Sequence, residues 1–433
     1  MMDNRRGILE FTCDAKRLPN GNTIIVDAGD ETCIGSEVFE VDYKGSIVWY
    51  CECDFKFAHS AHRLENGNTL ITDTTNDRII EVDRDSNIVF TSDDWGNKTG
   101  TLSDGSHLWY PNDAHELADK TIIITDRNNN RFLIVDRQGN VIWEFSENVN
   151  HPHNADMLDN GNIIFADSDN NMIYEVTRDK KIVWSYGDKP GQKLQFPRDA
   201  DRLENGNTLI TDSRHHRVIE VTPEGDIVWE YKVDYFAGFY QADRLENGNT
   251  LISDQNHHQV IEVDQYGNIV WLFRNRRQFK EIMPKLTNGF FTKRDENDFP
   301  LHWSINNRFA EGGGKYIFEE GCPGIEYDQN GAFCLVQHIA AKPGEVFTFS
   351  GSIKTVDIEE GSFACFQAFF LDSYGGPICF VAHAQKSEML SGSHDWHEQN
   401  MQIEVPPRAT TLEFRLFING KGKVLMKDLM MFK

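Results

Sequence analysis

Asp201 to Asp212 reads DRLENGNTLITD, Asp243 to Asp254 reads DRLENGNTLISD, and His62 to Asp73 repeats the phrase as HRLENGNTLITD. Looser copies start at Lys16 (KRLPNGNTIIVD) and Asp156 (DMLDNGNIIFAD), and one from His115 (HELADKTIIITD) lacks the Asn-Gly pair. A second block follows each copy, such as RVIEVTPEGDIVWEY from Arg217 to Tyr231. The copies recur about every 42 to 53 residues, which is the period of a β-propeller blade.

Asn-Gly between two apolar runs makes a tight turn, because glycine accepts positive φ without steric cost. A second turn falls at Pro223-Glu224-Gly225 and its equivalents. Each unit therefore reads as four antiparallel strands, A to D from the inside outward. In the fifth unit these are about Asp199–Leu203, Thr208–Thr211, Arg217–Val221 and Ile227–Tyr231. Six units predict an all-β, six-bladed β-propeller over roughly residues 11 to 273. Ile8 to Phe11 reads as an extra D-type strand that either pairs with the sixth blade or leads in.

The 433 residues exceed one ordinary domain, and the repeat stops near Lys285. Residues 1–284 are assigned to the propeller and 285–433 to a β-sandwich of jelly-roll type. Strands in the sandwich are expected at Phe333–Ile339, Val346–Ile353, Phe363–Leu371, Ile378–His383, Met401–Val405, Thr411–Ile418 and Val424–Phe432. A net charge of −25 argues against nucleic acid and anionic membrane as partners. No apolar run reaches membrane-spanning length, and the start MMDNRRGILEF lacks a signal-peptide core, so a cytoplasmic protein with reduced thiols is expected.

Sixfold repetition separates scaffold from site. Asp27, Asp73, Asp126, Asp167, Asp212 and Asp254 close strand B in every unit, and their expected role is to accept hydrogen bonds from the following loop. Trp49, Phe90, Trp143, Trp184, Trp229 and Trp271 recur on strand D as packing between blades. Two columns of strand A vary but stay polar. Five before the repeat leucine stand Cys13, His59, Asn112, His153, Arg198 and Tyr240; two before it stand Lys16, His62, His115, Asp156, Asp201 and Asp243. With His107, His151, His215, His216, His257 and His258 in loops of the same face, ten of the fifteen histidines are expected at one rim. Such a gathering suits proton transfer, covalent relay through imidazole, or metal binding. The insertion Thr91–Tyr110, with Trp95, His107 and Trp109, is expected to lie across the mouth as a lid.

The phrase L-x-N-G-N-T-L-I-x-D followed by V-I-E-V-x-x-x-G-x-I-V-W resembles the arylsulfotransferase family of six-bladed propellers, and more distantly NHL and PQQ-type repeats. The resemblance implies sulfuryl transfer through a channel histidine, with His59 and His153 at the matching position and Arg198 as the matching arginine. The sandwich resembles carbohydrate-binding modules of families 4 and 9, on NGFF at Asn288–Phe291, PGEVFTFSGSIK from Pro343, VPPRATTLEFRL from Val405 and GKVLMKDLMMF from Gly422. That likeness implies a structural calcium, for which Asp428 is the candidate ligand, and sugar recognition through Trp396 and Tyr374.

Three functions remain open at this stage. One is group transfer on a small aromatic or anionic substrate, with His59, His153, His115 and Arg198 catalytic and Tyr240, Lys16, Trp109 and Asn112 binding substrate. Another is a lyase or cyclase using a divalent metal on His62, His115 and Asp156. The third is a non-catalytic glycan-binding scaffold. No cofactor is certain, and oligomeric state is not encoded in any feature of the chain.

Overall fold

The computed structural model describes residues 6–29, 35–275, 282–310, 314–329, 331–373, 375–379 and 383–433. The chain divides into two compact units, Met1–Arg277 and Gln278–Lys433. The first contains six four-stranded antiparallel sheets, each built from four consecutive strands in the order A-B-C-D. The inner strands are Thr12–Arg17, Ala58–Arg63, Pro111–Glu116, Ala155–Met157, Pro197–Arg202 and Phe239–Arg244. In the fifth blade the other strands are Thr208–Asp212, Arg217–Val221 and Ile227–Lys232.

The repeated phrase describes the seam between blades. Its arginine reaches the preceding blade, where it pairs with the strand-C glutamate and lies over the strand-D tryptophan: Arg244 meets Glu220 at 2.9 Å and Trp229 at 4.7 Å. The same holds for Arg63 with Glu40 and Trp49, and for Arg202 with Glu175 and Trp184. The two asparagines of N-G-N donate to the glutamate of their own blade, as Asn205 and Asn207 do to Glu220 at 3.1 and 2.7 Å. Each such glutamate thus gathers three donors, two amides and a guanidinium. The third copy lacks Asn-Gly because blade three also lacks the acceptor: Ile134 stands there, and Met157 replaces the arginine that would have met it. Both pack in one apolar cluster. Lys120 takes the glycine's place in that turn at φ 68°.

Glu220 is nearly buried, and its removal leaves Arg244 and two amides unanswered. We expect Glu220→Ala to lower stability by about 3 kcal/mol in urea unfolding. A change below about 1 kcal/mol would reduce the junction to an ordinary surface pair.

Each strand-D indole donates its Nε1–H to a turn carbonyl of the next blade: Trp49 to Arg84, Trp143 to Arg178, Trp184 to Pro223, Trp229 to Gln265, Trp271 to Tyr43. Blade two has Phe90 in this column, and Trp95 of the insertion supplies the missing indole, donating to Arg137 O at 3.1 Å. Gly139 is required beneath it, since a Cβ there would stand 2.6 Å from the indole and φ is 83°. The insertion is therefore a wall and not a lid. Ser103 bonds Gly139 and Val141, and Asp104 pairs with Arg131 at 3.0 Å, all on the outer strands of blade three.

The ring closes between the sixth and first blades by the same seam: Arg17 meets Glu262 at 2.8 Å and Lys16 meets Asp243 at 2.8 Å. Blade six has its own strand D, Ile269–Arg274. The N-terminal lead-in pairs just beyond that strand, with Leu9 N donating to Asn275 O at 2.5 Å. The aspartates closing strand B accept mainly from the connection preceding strand A, as Asp73 does from Lys56 N and Asp212 from Gln195 N. They also accept from the loop that follows, as from Asn76, and from the first residue of strand C, as from Arg217.

The second unit is a sandwich of two five-stranded antiparallel sheets. Phe349 and Phe414, stacked at 4.2 Å, join the two faces in one core with Phe366, Leu416 and Met426. Strands Gly331–Ala340, Val346–Ile358, Phe363–Leu371, Gly392–Glu404, Thr411–Asn419 and Gly422–Phe432 cover six expected ones. Ile378 and Cys379 are not in a strand, and 380–382 lie outside the described residues. Ser304–Ala310, Lys315–Glu319 and Cys322–Tyr327 are strands the alternation did not reveal.

Candidate functional site in the propeller channel

The D–A and B–C connections share one face, because B–C amides donate to D–A carbonyls: Thr75 to Lys56, Asn128 to Trp109, Arg214 to Gln195. The expected histidines do not gather at one rim. Strand A carries them at two depths three residues apart, hence about 10 Å apart along the channel.

At the upper level Tyr240 is the hub. Its ring centroid lies 5.7 Å from His59 and 5.9 Å from His153, and the Arg198 guanidinium carbon sits 3.9 Å above it. These groups come from blades two, four, five and six, so the channel is narrow here. Arg198 Nη1 donates to His153 Nε2 at 3.0 Å. Cys13 and Asn112, from blades one and three, complete the ring and are buried. Neither amide atom of Asn112 has a hydrogen-bond partner among the described residues, although the residue is only 3% exposed. A buried amide without partners is costly unless a ligand or water answers it.

Hydrogen bonding fixes both imidazoles in one tautomer. Thr74 Oγ1 donates its proton to Pro111 O at 2.7 Å, so it must accept from His59 Nδ1 at 3.0 Å. Ser168 Oγ donates to Pro197 O at 2.5 Å and accepts from His153 Nδ1 at 2.8 Å. Each ring therefore carries its proton on Nδ1 and leaves the Nε2 lone pair bare. His153 spends that lone pair on Arg198. His59 Nε2 has no hydrogen-bond partner among the described residues. Burial first, and the Arg198 charge second, hold both rings well below the ordinary value of 6.5, so both are neutral.

This lowering has a testable sign. The unfolded chain takes up protons near pH 6.5 while the folded rings do not, so stability from these groups is full above 6.5 and falls as pH drops through their folded values. Urea midpoints should decline below about pH 6.5, and a His59→Gln, His153→Gln double variant should show a shallower decline. Parallel declines in both proteins would place the acid sensitivity elsewhere.

Above this level lies an aromatic collar that the two column counts did not reach. Phe11, Phe57, Tyr110, His151 and Phe196 stand two residues before the first column. Phe57 lies 5.1 Å from Phe11 and 6.3 Å from Tyr110, and Phe196 lies 5.2 Å from His153. Four of the five have left-handed backbones, at φ 59° for Phe57, 57° for Tyr110, 46° for His151 and 54° for Phe196. Such conformations cost on the order of 1 kcal/mol or more each and cluster where function demands them. Side chains of the preceding blade hold three of them: Asp77 accepts from Tyr110 N at 2.6 Å, Asn130 from His151 N at 2.9 Å, and Asn171 from Phe196 N at 2.7 Å.

At the lower level Asp113 bridges His62 Nε2 at 3.1 Å and His115 Nε2 at 2.6 Å, and Asp156 stands 3.5 Å from His115 Nδ1. Burial opposes charge on His115, but Asp113 and Asp156 outweigh it and raise the ring to about 9. Asp113 is the member the sequence reading missed. On the other side Lys16 pairs with Asp243, and burial drives Asp199 and Asp201 well above the usual carboxylate range. Lys16 and His115 thus serve this level and not the upper one.

Of the other expected site residues, Trp109 is 55% exposed and makes no ring contact with the cluster among the described residues. His215 bonds Asp212 at 2.8 Å and His216 bonds Ala237 O at 2.8 Å, so these loop histidines fasten the turns. In the sandwich Asp428 is exposed and belongs to no converging group of metal-binding side chains among the described residues. Trp396 lies 4.2 Å beneath Lys427 Nζ, and Tyr374 lies outside the described residues. A buried polar network there was not foreseen: Glu413, Arg415 and Gln367, with Arg415 donating to Gln367 at 2.8 Å and His338 meeting Glu413 at 3.2 Å.

The first unit is thus a six-bladed β-propeller with a polar, histidine-bearing channel. No family model and no curated protein matches the chain. Among solved structures it is similar to virginiamycin B lyase from Staphylococcus aureus, at 13% identity over 62% of this chain and 86% of that one, with a TM-score of 0.45. A protein of unknown function from Bacteroides caccae matches at 16% identity over 55% and 89%, TM-score 0.43. The WD40 β-propeller domain of Doa1 matches at 12% over 61% and 79%, TM-score 0.40.

Proposed function

We propose that the upper channel is the active site of a group-transfer enzyme acting on a small aryl ester of an inorganic acid, with an aryl sulfate as the leading substrate. The observation that carries this reading is a half-buried guanidinium whose buried Nε has no hydrogen-bond partner and which meets no carboxylate among the described residues, set beside a neutral imidazole with a free lone pair. A cation partly withdrawn from water in this way is stabilised by an anion.

In this reading Arg198 and Asn112 bind the anionic oxygens, while Phe57, Tyr110 and Phe196 enclose the aryl ring. His59 Nε2 attacks sulfur, a sulfur–nitrogen bond forms, and the sulfur–oxygen bond to the aryl group breaks, releasing phenolate. An acceptor hydroxyl then attacks the same sulfur, losing its proton to solvent, and the sulfur–nitrogen bond breaks. Thr74 accepts from His59 Nδ1–H throughout, so positive charge developing on the ring is stabilised where the proton already sits. His153 aims the guanidinium.

The test is release of 4-nitrophenol from its sulfate ester, with a phenol as acceptor and the phosphate ester as competitor. Transfer to the acceptor supports the reading. Neither release nor binding of any aryl sulfate or phosphate ester would remove it.

A further inference from the structure

We propose that His62, Asp113 and His115 form a binding site for a first-row divalent metal ion, seated in the deeper part of the channel and separate from the anion cradle above. Their ligand atoms lie within 4.8 Å of one another, the only such group among the described residues. Two blades contribute, His62 from the second and the other two from the third. Asp113 is 6% exposed and fixed, whereas the imidazoles retain side-chain exposures of 15% and 21%, so an ion can reach them.

Two imidazoles and one carboxylate suit zinc, cobalt, manganese or ferrous iron. Calcium and magnesium prefer an all-oxygen shell. The centroids of the His62 and His115 rings are 3.8 Å apart, and both Nε2 atoms face the same carboxylate. One ion can therefore engage both rings and one oxygen with small side-chain rotations. Asp156 Oδ1, 3.5 Å from the far nitrogen of His115, supplies the carboxylate that commonly backs a ligating imidazole and decides which nitrogen faces the metal. Three protein ligands leave further positions open to the channel, the pattern of a site that binds water or substrate.

The experiment uses the full chain, stripped with chelator and titrated calorimetrically with Zn²⁺, and with Co²⁺ while visible absorption is recorded. We expect one equivalent of each to bind, cobalt d–d bands of a nitrogen- and oxygen-ligated centre, and a loss of about a hundredfold or more in affinity for Asp113→Asn and for His62→Ala. His215→Ala, in a loop away from the channel, should bind as the wild type does. His62 is partly exposed, so its variant serves should Asp113→Asn fail to fold. Absence of saturable binding by the wild type, or wild-type affinity in the folded variants, would overturn the proposal. Because binding is read directly, failure of the transfer reaction leaves this result standing, and the reverse also holds.

Discussion

His59→Asn is expected to reduce transfer from an aryl sulfate by about a thousandfold while leaving ester binding within a few-fold of wild type. The side chain is buried, its Nδ1 proton is committed to Thr74, and its Nε2 is the imidazole nitrogen of the upper level left unengaged among the described residues, since His153 Nε2 accepts from Arg198. Asparagine keeps a donor toward Thr74 and removes the nucleophile. Thr74→Val should give a smaller loss, since the ring remains but its tautomer is no longer enforced. Rapid-quench detection of a sulfated protein intermediate in the wild type, absent in His59→Asn, separates a nucleophile from a positioning role. Wild-type turnover in folded His59→Asn would move the chemistry off this ring.

Arg198→Met should weaken binding of phenyl sulfate by about a hundredfold, with binding of neutral phenol little changed. Arg198→Lys should recover only part of the loss, because a lysine brings charge without the planar fork that reaches both the anion and His153. The same substitution has an opposite effect on the empty protein. Desolvation depresses the Arg198 pKa, and its Nε has no hydrogen-bond partner among the described residues, so the guanidinium is a burden until an anion arrives. In buffer free of oxyanions, Arg198→Met should therefore melt at or above the wild-type temperature. A variant that melts well below wild type while still binding phenyl sulfate would make Arg198 a structural residue.

Much of the scaffold is legible in the chain because sixfold repetition repeats each physical cause. The arginine, the paired asparagines, the glutamate and the tryptophan recur together since they contact one another across a seam, and blade three loses the asparagines and the glutamate together. The first column also pointed to neighbours: His59, His153, Arg198 and Tyr240 do meet. Depth was not legible, because a polar residue two before the leucine looks like one five before it until strand rise is counted. Lys16 and His115 thus share a polar face with residues that stand about 10 Å away along the channel. Asp113 stands two residues before His115 and so shares its face of strand A, a parity that was legible; the register irregularity between Pro111 and Asp113 falls on Asn112 instead.

Thr74 and Ser168 left a signal that could have been read. The residue after the strand-B aspartate is Ala28, Thr74, Arg127, Ser168, Ser213 and Gln255 in turn, and a hydroxyl follows in both blades whose first column holds histidine. The insertion misled for a physical reason: its length suggested a cover, but Phe90 in the tryptophan column already announced a gap between blades that Trp95 fills.

Ring closure through side chains, without a blade shared between distant segments, bears on biosynthesis. Tyr240 and Asp243 emerge from the ribosome more than two hundred residues after Cys13 and Lys16, their partners around the channel. Blades can condense one by one as hairpin pairs, yet neither histidine level has its full electrostatic surroundings until the last sheet docks against the first. A truncated translation product would hold folded blades and still lack the pocket, so reactive capacity arrives only with the completed circle.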